Sequence, residues 1–105
     1  MRVKCFDVNL RRHGLQFEVG KVYETDTKGL SDFPFRIDTV FDYFETVEEA
    51  KKETRGMPRE KKRFCEIEVL GKVLFHEPSQ RHGTNRIRII REVNIYQEGV
   101  MWYGW

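Results

Sequence analysis

The chain has 105 residues, 34% of them charged, and a formal net charge of +2. That length supports one core worth ~5 to 10 kcal/mol and excludes a second, so a single domain over 1–105 is expected. No apolar run approaches the ~18 residues of a membrane span, and the opening MRVKCFD lacks the apolar stretch of a secretory signal. The expectation is a soluble cytoplasmic protein with no membrane contact.

In chain order, Val3, Cys5 and Asp7 alternate with Arg2, Lys4 and Phe6, and Leu15, Phe17 and Val19 alternate with Gln16 and Glu18. Period two is the signature of half-buried strands. Asn9 to Gly14 supplies turn residues between these runs. Gly20 and Lys21 sit where a two-residue loop would join Val19 to Val22 and Tyr23, so the chain is predicted to open as an antiparallel meander. After a loop from Asp26 to Pro34, Val40, Phe41 and Phe44 stand at helical spacing with Asp38 available as N-cap, which predicts a short aromatic-faced helix. Thr46 and Glu49 match a capping box, and a second, polar helix continues through Ala50 to Arg55 until Gly56 and Pro58 stop it.

Beyond Lys61 the period returns to two. Cys65, Ile67 and Val69 oppose Glu66 and Glu68, Gly71 is placed at a turn, and Val73 to Phe75 runs back as the second arm of a hairpin. After a loop from His76 to Thr84, Ile87 and Ile89 face inward and Arg86 and Arg88 outward, while Ile90 beside Ile89 implies a bulge or a strand covered on both faces. The expected fold class is α+β: a mainly antiparallel sheet of about six strands, with two short helices between strands 3 and 4.

Two cysteines, Cys5 and Cys65, are too few for a disulfide scaffold and read as reduced core thiols. Charge, in contrast, is segregated. Glu24 to Glu49 holds eight acidic residues against Lys28 and Arg36, and Lys51 to Arg63 holds seven basic residues against Glu53 and Glu60. Such polarity can steer a charged partner even when total charge is near zero, and the positive total argues against mimicry of DNA.

The first candidate binding group is therefore basic: Arg59, Lys61, Lys62 and Arg63, with Arg86 and Arg88 from the last strand, all able to neutralise phosphates. No aromatic residues interleave this run to stack on single-stranded bases. The second is the carboxyl end, where Trp102, Tyr103 and Trp105 have the composition of interface anchors, although Trp102 could equally complete the core. Glu66 and Glu68 could form an acid and base pair but read as a solvated strand face. His76, Glu77 and His82 could hold a metal, yet without the dense spacing of a metal site, so no metal and no cofactor is expected. His13, Glu66 and His76 are the residues around which a site assembled from distant parts of the chain would form, and no catalytic motif is present.

Five segments carry a family resemblance: Phe6-Asp-Val-Asn-Leu, Gly14-Leu-Gln-Phe-Glu-Val-Gly-Lys-Val-Tyr-Glu24, Val40-Phe-Asp-Tyr-Phe44, Arg63-Phe-Cys-Glu-Ile-Glu68 and Asn85-Arg-Ile-Arg-Ile89. In that order they resemble a family of small phage and prophage domains of unknown function, often found ahead of pentapeptide repeats. Members of that family carry a Gly-Phe-His-x-Cys-like segment where this chain reads Ser31-Asp-Phe-Pro-Phe-Arg36, without histidine or cysteine. The resemblance implies a small phage-encoded, non-enzymatic protein in the host cytoplasm. Such a protein would bind and inhibit or modulate a host or defence-system protein or ribonucleoprotein, for example a CRISPR effector. The alternative expectation is a nucleic-acid or nucleotide-binding module using the basic loop and the strand arginines.

Overall fold

The computed structural model describes residues 1–25 and 40–96. Among these, antiparallel pairing dominates: nine strands form three sheets, with one α-helix and one 3-10 turn. This corrects the expectation of about six strands and two helices. In chain order the elements are β1 (Val3–Phe6), β2 (Arg11–Arg12), β3 (Leu15–Gln16), β4 (Val22–Glu24), β5 (Phe41–Tyr43), α1 (Val47–Glu53), a 3-10 turn (Arg59–Lys61), β6 (Arg63–Val69), β7 (Val73–His76), β8 (Arg81–Thr84) and β9 (Arg86–Val93).

The largest sheet has the order β1-β6-β9-β4. The predicted opening meander does not form, because β1 pairs with β6 and β4 pairs with β9, each across most of the chain. Gly20 adopts φ +90° and donates its amide to Ile89 O at 2.7 Å, so it guides the chain onto β9 instead of closing a hairpin. Along β9, Ile87 and Ile89 are buried while Arg86 and Arg88 are exposed, as the alternation predicts. Glu66 pairs with Arg91 but Ile67 with Ile89, which leaves Ile90 as the extra residue of a β-bulge.

A second sheet has the order β5-β8-β7. The helix predicted over Val40 to Phe44 is in fact β5; its supposed cap, Asp38, lies outside the described residues. Phe41 and Tyr43 both fall on one side of β5 and Asp42 on the other, and all three are buried, so the aromatic spacing that mimics a helix is a strand covered on both faces. The predicted hairpin of β6 with β7 is also absent. β7 pairs with β8, in the segment expected to be a loop, where the run Arg81-His-Gly-Thr has no apolar alternation to betray a strand. Gly71 serves close approach: a Cβ there would lie 2.3 Å from Asn85 Oδ1, the atom that accepts a hydrogen bond from the Lys72 amide.

The β2–β3 ribbon turns through His13 and Gly14, at φ 50° and 80°, the left-handed pair of a two-residue hairpin. It is launched by Asp7, whose carboxylate accepts from the amides of Asn9 and Arg11. Helix α1 starts as predicted, with Thr46 Oγ1 accepting from the Glu49 amide at 3.1 Å. One core cluster joins Phe6, Phe17, Phe41 and Tyr43 to Ile67, Ile87 and Ile89; the other joins Val3, Phe44, Ala50, Phe64 and Ile95 beneath α1. Strand β1 contributes to both, so Lys4 and Phe6, read from the sequence as outward, are fully buried.

Candidate functional site: a buried charge cluster and a basic face

Two concentrations of charge stand out, one inside the molecule and one on its surface. The internal one centres on Asp42. Lys4 Nζ donates at 2.9 Å to both the carboxylate and the main-chain carbonyl of Asp42. Arg12 donates through Nε at 3.3 Å and Nη2 at 2.7 Å, and Arg81 through Nη1 at 3.3 Å. His13 Nε2 lies 3.9 Å from the same carboxylate. Burial alone would raise the Asp42 carboxyl, but the Lys4 ammonium and the Arg12 guanidinium outweigh it and hold the group well below the usual carboxylate range. Burial pulls the Lys4 ammonium below its usual value, and Asp42 offsets part of that loss.

The surface concentration lies between α1, the 3-10 turn and the end of β9. Tyr96 is its centre: the Arg59 guanidinium sits 4.0 Å from the ring centroid, Lys62 Nζ 5.4 Å and Lys51 Nζ 6.0 Å. Two open clefts of about 580 and 570 Å³ share Arg59, Lys62 and Tyr96 in their walls. The second also takes in Lys51, Lys52 and Arg55 against a single carboxylate, Glu48.

Of the sequence-derived candidates, Arg59 and Lys61 are both exposed on the 3-10 turn, and Arg59 lines both clefts. Lys62 is buried, and its ammonium donates to Thr54 O at 2.7 Å and Thr54 Oγ1 at 3.2 Å, tying the turn to the end of α1. Arg63 makes a two-pronged contact with Glu92 at 2.6 and 2.7 Å. Arg86 pairs with Glu24 and Arg88 with Glu68, while Arg91 takes Glu66, so the outer face of β9 is a ladder of alternating charge. Trp102, Tyr103 and Trp105 lie outside the described residues. Sequence reasoning missed the Asp42 cluster and Tyr96. The one local signal for the cluster was a charged residue, Asp42, embedded among Val40, Phe41, Tyr43 and Phe44.

The residues considered for chemistry have separate partners. Glu66 and Glu68 are engaged by Arg91 and Arg88. His76 bonds Ser79, whereas the His82 ring packs against Tyr43 and Phe75; pairing of Phe75 with His82 and His76 with Arg81 puts the two imidazoles on opposite faces of the ribbon. Among the described residues no group of three or more His, Cys, Asp or Glu could hold a metal ion. Cys65 is buried and Cys5 partly so, both free, and burial is the main cause that raises each thiol, Cys65 to about 11. No helix among the described residues is long and apolar enough to cross a membrane.

Fold and site together define a small β-rich domain whose distinctive groups are clustered cations. The chain belongs to a family described as a domain of unknown function (DUF7666), whose family model matches residues 1–99. No curated protein and no solved structure matches it.

Proposed function

We propose that the domain is a non-enzymatic binding module that uses the basic face around Tyr96 to engage the phosphate backbone of a nucleic acid, carried in its natural setting by a host nucleoprotein. The phage origin of this reading, and a defence ribonucleoprotein such as a CRISPR effector as the class of target, rest on the family resemblance of the segments quoted above.

One observation carries the choice of face. Lys52, Arg55, Arg59 and Lys61 are exposed and make no ion pair with any described residue, whereas Arg63, Arg86, Arg88 and Arg91 are each matched by a glutamate. Unmatched cations keep their full attraction for phosphate; matched ones must first give up a carboxylate. Arg59, already seated 4.0 Å from the Tyr96 ring centroid, gives up less side-chain freedom on binding.

Fluorescence anisotropy with labelled single-stranded and duplex oligonucleotides tests the reading. Four phosphate contacts predict that log K falls against log salt with a slope of about −3 to −4 between roughly 50 and 200 mM. No binding at the lowest salt would overturn it. Capture of a host complex that survives nuclease treatment would instead assign the face to an acidic protein.

A further inference from the structure

Behind the Asp42 cluster lies a cavity of about 240 Å³, remote in character from the basic face. Its walls include Lys4, Arg12 and His13 together with Phe17, Val40 and Phe41, and Leu15 lines it half-exposed. We propose that this cavity is a binding site for a small organic carboxylate.

The charge count is the first ground. Three cations, Lys4, Arg12 and Arg81, converge on one carboxylate. A carboxylate offers about four lone-pair positions. All are occupied, with Oδ1 taking Lys4 and Arg12 Nε, and Oδ2 taking Arg12 Nη2 and Arg81. The remaining N–H groups of Arg12 and the third proton of Lys4 therefore have no acceptor on Asp42. Lys4 itself is 1% exposed and lines the cavity, so part of the wall is a buried lysine side chain. Arg12 and Arg81 keep part of their surface in water, so the buried member of the excess is Lys4, whose charge an entering anion would help to offset.

The walls supply the second ground. Phe17, Val40 and Phe41 are all buried and apolar, which suits a hydrocarbon body and disfavours a bare inorganic ion. Asp42 takes the Nε–Nη2 edge of Arg12, which leaves the N–H groups at its Nη1 end for a second carboxylate. The volume falls just under the ~300 Å³ at which drug-sized pockets begin, which limits the ligand to a small molecule.

Benzoate is the probe, with benzamide as the same ring without charge, acetate as the charge without the ring, and inorganic phosphate as a competing anion. Two-dimensional amide NMR of the full chain should show saturable shifts at Arg12, His13 and Phe17 with benzoate. Benzamide and acetate should bind roughly tenfold more weakly, the loss expected for one charge-assisted hydrogen bond or one buried ring. Leu15→Trp, at an exposed ribbon position, fills the cavity and should remove the shifts while the rest of the spectrum stays folded. Arg12→Gln should weaken benzoate by roughly tenfold as well. No saturation by about 10 mM benzoate, weaker than any useful affinity, would overturn the proposal. So would benzamide equal to benzoate, phosphate tighter than benzoate, or unchanged affinity in both variants.

Discussion

Lys4 and Asp42, 38 residues apart, are joined twice: the Lys4 ammonium bonds both the side-chain carboxylate and the backbone carbonyl of Asp42 at 2.9 Å. The contact pins β1 of the large sheet to β5 of the small one, beside the backbone bridge between Val3 and Phe44. Because three cations share one carboxylate, the two partners are not equivalent. Removing the carboxylate in Asp42→Ala strands a buried ammonium and should cost about 3 to 5 kcal/mol. Lys4→Met leaves Asp42 still paired with Arg12 and Arg81 and should cost roughly 1 to 3 kcal/mol. Urea denaturation of the two variants checks the order; equal losses would mean that Arg12 and Arg81 do not support the carboxylate.

Acid sensitivity follows from the same group. The Asp42 carboxyl is held below its ordinary value in the folded state, so the unfolded chain binds its proton first as pH falls. Stability from this group is complete above the unfolded value of about 4 and drains away as pH drops below it. Glu45, held down by Arg2 against the opposing effect of burial, and Glu92, held down by the hydrogen bond from Arg63, add in the same direction. Thermal melts from pH 7 to pH 2 should therefore fall steeply only in the acid arm, and Asp42→Ala should flatten that arm.

The cysteines should be inert. Burial pushes the Cys65 thiol up to about 11 and raises Cys5 as well, so almost no thiolate exists at neutral pH. A chromogenic disulfide reagent at pH 8 should label neither in the native protein and both after denaturation. Rapid labelling of native Cys65 would contradict the packing around β6.

What the sequence disclosed was local. Thr46 and Glu49 lie within one helical turn, so their cap was legible, and Thr46→Ala should lower stability by about 1 kcal/mol in the same urea assay. Ile87 and Ile89 alternate with Arg86 and Arg88 on a strand with one solvated face, and the doubled isoleucine marked the bulge at Ile90. What stayed hidden was set by distant partners. Phe41-Asp-Tyr looked helical because burial on both faces erases alternation, and Lys4 looked outward because its counter-charge lies 38 residues away. The same holds for the arginines: composition counts Arg86 and Arg88 as basic surface, and only strand register shows them facing Glu24 and Glu68. Tyr96 gave no signal, since its role comes from cations brought to it by α1 and the 3-10 turn.

The basic face is tested most directly by comparing salt slopes of oligonucleotide binding for two variants. Lys52→Gln/Arg55→Gln/Lys61→Gln removes unmatched cations from α1, the residues after it and the 3-10 turn, and Arg86→Gln/Arg88→Gln removes matched ones from β9. The first should weaken binding and reduce the slope of log K against log salt by about 2 to 3, while the second should leave the slope unchanged. A slope that falls with the β9 variant and not with the other would contradict the account.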